Sequence, residues 1–370
     1  MTCLDNHLHI VSFNVPWPAD YGGVIDVYQR IVALSKCGVK IHLHCFEYGR
    51  EASDELGRWC EEVCYYHRDT GFFRQLERRP YIVASRCSKQ LVQRLEKDNY
   101  PILLEGLHDC SVLEHFGSRR HITVRAHNVE HDYYQALSKA EQCVWKRLFF
   151  SIEAFKLRRY EPILVKASAV LAISQQDADH FRAIGCKNVF LLPPSHGHQE
   201  VKSQHGRGDY VLYHGNLSVA ENETAARYLM EQVVPNSPYQ FVIAGRSPSD
   251  TLRKEAEKHD NVRLVADPDD AEMHKLLQEA QVNLLITHQP TGVKLKLMNA
   301  LYEGRHCLVN STMVQGTRLE EACRIADTPE SLCRALDEMM VSDFTENERQ
   351  KRIEILRKND SIEDFINIIL

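Results

Sequence analysis

The residues richest in chemical implication are Thr291-Gly292-Val293-Lys294-Leu295-Lys296, which follow the apolar run Val282 to Thr287 and open a helical pattern that continues through Asn299-Ala300-Leu301. Thr291 and Gly292 supply an N-terminal turn with free backbone N–H groups. Lys294 and Lys296 place two cations in the first turns, where the helix dipole opposes them. An anion such as a diphosphate seated at that end would reconcile the two. Positions two apart on a helix point about 200° apart, so one lysine at most faces a ligand, and the register favours Lys296. The competing reading is a pair of solvated surface lysines.

Two further glycine turns follow apolar runs. His214-Gly215-Asn216-Leu217 comes after Tyr210 to Tyr213, and Ala244-Gly245-Arg246 closes the run Gln240 to Ala244. Glycine there permits close backbone approach to a phosphate. Arg246 fits either a diphosphate contact or a solvated position. In the first half, Arg125-Ala126-His127-Asn128-Val129-Glu130 follows the run Ile122 to Ala126. His127 and Glu130 are types that do acid–base work, against the alternative of a hydrogen-bonded structural histidine. Asp267-Pro268-Asp269-Asp270 imitates a metal-binding DxD, but it precedes a helical pattern and reads as an N-cap. Glu153 and Glu161 read as ion-pair positions for Lys156, Arg158 and Arg159. Phe72-Phe73-Arg74 with Arg78-Arg79 and Arg86, and Trp145 to Phe150 with Lys156, Arg158 and Arg159, mix aromatic and basic residues. Such segments suit an anionic membrane surface or, more plainly, core aromatics beside solvated charges.

The elements that position these residues alternate strand and helix. His9 to Val15 leads through Asp20-Tyr21-Gly22-Gly23 into a helical pattern at Val24, Val27, Ile31 and Leu34. Gly38 stops it, and Val39 to Phe46 is the next strand. Ile82 to Asp98 reads as a helix, Pro101 to Leu107 and Ile122 to Ala126 as strands, and about Asp132 to Lys166 as a long helical region. Ala169 to Ile173 is a strand, followed by a Ser174-capped helix and the run Val189 to Leu192. Residues 195–209 are polar and rich in Gly, His and Ser, the composition of a linker. The alternation then restarts at Tyr210 and ends in a charged helical tail from about Thr345. The expected organisation is a first α/β domain at 1–194, a linker at 195–209, a second at 210–344 and a C-terminal helix at 345–370. In such sheets ligands sit at the C-terminal ends of strands.

Composition narrows the class. At about 150 residues per domain, 370 residues are two to three domains, and 44% hydrophobic residues suffice for a core. A net charge of −6 argues against general nucleic-acid binding. The 12 cysteines include no CxxC, which argues against a zinc ribbon and for free thiols in a reducing compartment. Cys60 and Cys64 share helical spacing. The first residues carry no signal-peptide apolar region, and no stretch approaches a membrane span. The expectation is a cytoplasmic protein.

With these motifs in order, the chain resembles the GT-B glycosyltransferases. Pro18 to Gly23 with its helix, His127, Gly215, Gly245-Arg246 and Gly292…Lys296…Asn299-Ala300 fall in that family's sequence of motifs. Phe241 to Pro248, Asn261 to Leu264 and Asp270 to Met273 look like the donor domain of the family 4 enzymes. The resemblance covers nearly the whole chain. It implies an α/β fold of two Rossmann-like, doubly wound domains facing a central cleft, with the last helix crossing back to the first domain. It implies a nucleotide diphosphate sugar as donor on the C-terminal domain, an acceptor on the N-terminal domain, and transfer with retention and without a metal or other cofactor. Gly215, Asn216, Gly245, Arg246, Thr291, Gly292, Lys294 and Lys296 would serve the donor, with Gly215 and Lys296 facing the diphosphate and Val265-Ala266 near the base. Gly22, Gly23 and Glu130 would lie on the acceptor or phosphate side, and His127 beside the transferred sugar.

Three positions depart from the family pattern. Thr291 and Asn299 stand where a pair of glutamates is common. Asn299 can accept from ribose hydroxyls through its amide oxygen, without charge assistance. The Arg/Lys pair common after the glycine turn is absent from Gly215 to Glu221, which leaves the diphosphate to Lys296, Lys294 or Arg246. The leading expectation is a glycosyltransferase acting on a glycan or lipid-linked glycan in cell-surface polysaccharide synthesis, with peripheral contact at the inner membrane surface and no nucleic-acid partner. A nucleotide-sugar epimerase and a degenerate transferase that binds without turnover are the alternatives.

Overall fold

Strands buried on both faces read as continuous apolar runs, and parallel strands need a crossover, usually helical, between them. Both features dominate this chain, and the computed structural model, which describes residues 6–20, 22–141, 143–198, 200–288, 295–359 and 362–370, folds accordingly. It forms two compact units, one running to Ser195 and taking back the chain from Asp360 to Leu370, the other spanning His196–Asn359.

The first unit holds β1 (His7–Ser12), β2 (Lys40–Glu47), β3 (Glu62–His67), β4 (Ile102–Glu105), β5 (Ile122–Ala126), β6 (Ala169–Ala172) and β7 (Val189–Leu191). They make one parallel sheet in the order β3-β2-β1-β4-β5-β6-β7. The order reverses between β1 and β4, so the C-terminal ends of those strands flank the crevice where such sheets take ligands. The helix Gly22–Lys36 buries Val24, Val27, Ile31 and Leu34 against this sheet. The final helix, Ile362–Ile369, sinks Phe365 and Ile369 into the same core, and Arg30 lies over the Phe365 ring at 4.6 Å.

The second unit repeats the plan with β8 (Tyr210–His214), β9 (Gln240–Gly245), β10 (Val262–Ala266), β11 (Val282–Leu285), β12 (His306–Val309) and β13 (Arg324–Ile325). The order is β10-β9-β8-β11-β12-β13, again all parallel, with the reversal between β8 and β11. The segment 196–209 is bound into this unit rather than spanning open solvent. Val201 is buried beside Leu297 and Leu301, Lys202 N–H donates to Tyr302 O at 2.6 Å, and Gly206 and Phe344 exchange backbone hydrogen bonds of 3.0 and 2.9 Å. The helix Glu346–Asn359 also belongs here, so only the last eight-residue helix sits on the first unit.

Several elements differ from the sequence expectation. Cys60 and Cys64 do not share a helix, because Cys64 lies in β3, an edge strand with mixed burial. Ile82 to Asp98 is two short helices, Tyr81–Ala84 and Lys89–Leu95, since Ser88 turns extended and caps Leu91 N–H. The region Asp132 to Lys166 is broken into the helices Glu130–Ala140 and Val144–Tyr160 and a 3-10 turn, Glu161–Lys166, that has Pro162 in its first turn. No helix among the described residues is long and apolar enough to cross a membrane.

Candidate functional site

In the second unit the sheet's C-terminal edge gathers most of the residues singled out from the sequence. The turns after β8 and β9 touch. A Cβ on Gly245 would stand 1.8 Å from the carbonyl oxygen of Gly215, so the position admits only glycine. Gly215 N–H donates to Ala244 O at 3.1 Å and Leu217 N–H to Arg246 O at 3.0 Å. β10 runs beside β9 with Val265 opposite Ala244 and Ala266 opposite Gly245. Ser247 and Asp267 both take positive φ, 48° and 51°, and Ser247 N–H donates to Asp267 Oδ1 at 2.7 Å. Backbone strain of this kind concentrates at functional sites. Lys296, in the helix Leu295–Glu303, donates to Asn222 Oδ1 at 2.8 Å. Asn222 donates in turn to Asn216 O at 2.9 Å and packs on Gly215, so the ammonium is held beside the first glycine turn. The side chains of Asn216 and Arg246 are exposed. Burial, helped by the Lys296 charge, pushes His214 down to about 3, so it is a neutral wall beneath the turn.

Asn299 lies one turn further along that helix and is already engaged. Its Oδ1 is 2.9 Å from His198 Nε2, a partner contributed by the segment 196–209. Thr291, Gly292 and Lys294 lie outside the described residues. Asp269 caps the following helix by accepting from Glu272 N–H at 2.8 Å, as its sequence position suggests.

The first unit builds its own site around a carboxylate that the sequence reading passed over. Asp26, one turn into the helix that Gly22 and Gly23 open, is fully buried. Arg125 Nε donates to its Oδ2 at 2.8 Å, Arg30 Nη2 to its Oδ1 at 3.1 Å, and Ser195 N–H to Oδ1 at 2.5 Å. Burial opposes its ionisation, but the Arg125 and Arg30 guanidiniums outweigh that and hold the carboxyl well below the usual carboxylate range. His127, just past β5, has its Nε2 2.9 Å from Glu105 Oε2 and its Nδ1 3.6 Å from Asp26 Oδ2. The short contact to Glu105 assigns the proton to Nε2. Asp26 thus links the glycine start of its helix to His127. Glu130 is buried three residues beyond; desolvation is the largest influence on it, and its carboxyl is pushed up to about 7.

No protein-family model matches the sequence. A protein described as an uncharacterized 44.6 kDa protein in cps region, from Klebsiella pneumoniae, is 26% identical over 333 residues, covering 83% of this chain and 84% of that one. Among solved structures, Anabaena HepE in complex with UDP and glucose superposes with a TM-score of 0.62 at 11% identity, over 97% of this chain and 99% of that one. A glycosyltransferase from Rickettsia africae gives 0.62 at 11% identity over 99% of both. The E. coli trehalose-6-phosphate protein bound with UDP-2-fluoro glucose gives 0.59 at 11% identity over 96% of both. The fold is GT-B.

Within that GT-B frame, the glycine turns and Lys296 were legible because turn and helix-start chemistry is local. Asp26, Arg30, Glu105 and Asn222 were missed. A faint signal existed: Asp26 and Arg30 interrupt the apolar side of an otherwise amphipathic helix at i,i+4 spacing. Glu161 corrects an expectation. Its carboxylate faces His180 and His131 rather than Lys156, Arg158 or Arg159, because the chain turns into a 3-10 segment at Glu161 itself. Glu153 does pair with Lys156, at 2.7 Å.

Glu130 yields a prediction. Its folded pKa lies above the ordinary carboxylate value, so the folded chain holds a proton that the unfolded chain releases. Stability is therefore present at low pH and lost as pH rises through about 7. Glu130→Gln keeps the neutral shape and removes that loss. The variant should match the parent in urea unfolding at about pH 4 and below, and exceed it by roughly 2–4 kcal/mol near pH 8. Equal stability at pH 8 would contradict a protonated, desolvated Glu130.

Proposed function

We propose that this chain is a glycosyltransferase that moves a sugar from a nucleotide diphosphate sugar to a hydroxyl acceptor, with retention and without a metal at the donor. The observation that carries the reading is the contact between the Gly215 and Gly245 turns with Lys296 held beside them. It brings two glycine turns free of side-chain bulk and a fixed cation to the strand ends of a GT-B sheet. Leaving-group charge is what such a site stabilises. On this reading Gly215, Asn216, Arg246 and Lys296 serve the diphosphate, Lys294, Thr291 and Gly292 serve the donor as the resemblance implies, and Val265-Ala266 borders the base. Arg246 and Lys296 supply the positive charge that a metal supplies elsewhere. Nucleotides bound in HepE and in the E. coli protein accord with such a donor.

The first unit would act on the acceptor side, with His127 beside the transferred sugar and Gly22, Gly23 and Glu130 near the acceptor or phosphate. Glu105 holds the ring through Nε2, and Nδ1 faces Asp26. A glycan or lipid-linked glycan acceptor in polysaccharide synthesis accords with a relative from a cps region.

The membrane part of the proposal, contact with the anionic inner face of the cytoplasmic membrane, draws on one surface of the first unit. Trp145, Leu148, Ile152 and Phe155 form an exposed stripe at helical spacing, 79%, 50%, 47% and 60% accessible; Phe72 and Phe73, in the same unit, are exposed too. Lys146, Arg147, Arg158 and Arg159 flank it and have no carboxylate partner among the described residues. A groove of about 720 Å³ beside the stripe is lined by Arg78, Arg79, Ile152, Phe155 and Arg159. Apolar side chains ringed by cations are what an anionic lipid surface binds.

One observation favours a second reading, a transferase-like protein that binds without turnover. The Asn299 amide oxygen is occupied by His198, at the position the resemblance gives to a ribose acceptor.

Thermal stability against nucleoside diphosphates and their sugars tests the donor site, because ligand binding to the folded state raises the melting temperature. One base series should stabilise the protein without added metal, and Lys296→Ala should weaken that binding about tenfold or more. Unchanged affinity in Lys296→Ala would remove it from the site. For the membrane, the protein should co-sediment with phosphatidylglycerol vesicles and not with neutral phosphatidylcholine ones. Trp145→Ser together with Phe155→Ser should release it, and undiminished binding by that double variant would refute the surface.

A further inference from the structure

We infer that His131, Glu161 and His180 form a binding site for a divalent transition metal of the zinc class, within the first unit. The inference is independent of the donor chemistry proposed above. His131 is the second residue of the helix Glu130–Ala140, Glu161 opens the 3-10 turn Glu161–Lys166, and His180 belongs to the helix Gln175–Ala183. The fold therefore brings together three side chains from three separate segments. One ligand atom from each lies within 4.8 Å of the other two.

The geometry is that of a ligand set. Glu161 is 2% exposed and His131 is 7% exposed. Among the described residues no lysine or arginine pairs with the Glu161 carboxylate. Two imidazoles face it instead, with His180 Nε2 2.6 Å from Oε2 and His131 Nδ1 3.4 Å from Oε1. That His131 Nδ1 is buried, and its contact with Glu161 does not meet hydrogen-bond geometry; a metal ion between the two would satisfy both. Tetrahedral zinc with N and O ligands at 2.0–2.2 Å spaces those ligands about 3.3 Å apart. The His131 to Glu161 separation already fits. The His180 contact must open by under about 1 Å, and its side chain is 27% exposed.

The surroundings match as well. Asp132 Oδ1 stands 3.5 Å from His131 Nε2, on the ring's far side. A carboxylate on that side would steady a ligating ring if the gap closed to a hydrogen bond. Two imidazoles and one carboxylate favour zinc-class ions over magnesium or calcium, which prefer all-oxygen cages. An ion held by these three side chains would take water or a further ligand at its fourth position. Once filled, the site ties three helical segments together immediately beside Glu130.

The chain has 19 histidines and 12 cysteines, so stoichiometry alone decides nothing. The full-length protein, stripped with chelator, is titrated with zinc in competition with a chromophoric chelator, and separately with cobalt(II). We expect one tight zinc per chain, weakened at least about 100-fold in His180→Gln. Cobalt should give visible ligand-field bands without a thiolate charge-transfer band, and His180→Cys should add that band. His180→Cys also decides the matter if His180→Gln fails to fold. Zinc affinity unchanged in His180→Gln, a thiolate band in the parent protein, or no tight zinc at all would overturn the site and leave a hydrogen-bonded Glu161 flanked by two histidines.

Discussion

A fully buried carboxylate survives only where cations and N–H donors surround it, and Asp26 meets that condition from three directions. Arg30 reaches it from the same helix, Arg125 from β5, and the Ser195 N–H from the last residue of the first unit's main segment. Arg125 also donates to Leu192 O and Pro193 O, at 3.0 and 3.1 Å. One anion therefore fixes the register of the glycine-started helix, the end of β5 and the exit of the chain together. His127 inherits its orientation from this arrangement, held on one side by Glu105 and facing Asp26 on the other. Removing either arginine would take one of its hydrogen-bonding cations from the buried Asp26, which is why the motif reads as one structural unit rather than as separate ion pairs.

The second unit reaches a comparable result by steric means. Gly245 must lack a side chain because the Gly215 carbonyl occupies the space where a Cβ would stand. Two glycine turns then lie against each other, and the polar backbone of both is brought to the strand ends. Asn222 joins this backbone to Lys296 and turns a flexible ammonium into a positioned one. On the proposed reading, a charge held this way would stabilise a departing diphosphate without reorganising. His198 and Asn299 show how a segment with a linker's composition can enter the same neighbourhood.

The two-fold α/β plan was legible because parallel, doubly covered strands leave continuous apolar runs and glycine turns in the sequence. β3 was not, since Glu62-Val63-Cys64-Tyr65-Tyr66-His67 is an edge strand whose mixed burial erases the pattern. Residues 196–209 read as a linker because Gly, His and Ser carry no periodicity, although backbone hydrogen bonds bind them to the second unit. Local chemistry at Gly215, Gly245 and His127 could be read directly. Partnerships across the chain could not: Arg125 and Asp26 are 99 positions apart, and Glu161 meets His131 and His180 only after two helices have turned back on themselves. Sequence spacing reports neighbours along an element, and the electrostatics of these sites is set by neighbours across elements.

The most direct test of glycosyl transfer is a turnover assay with radiolabelled nucleotide sugars and vesicles prepared from lipid-linked glycan acceptors. Nucleoside diphosphate release and label in the lipid fraction are followed together. The account predicts equal release and transfer for one donor, both abolished in His127→Ala while nucleotide binding persists. Nucleotide binding without release from any donor, or conversion of the donor sugar with no acceptor present, would contradict it.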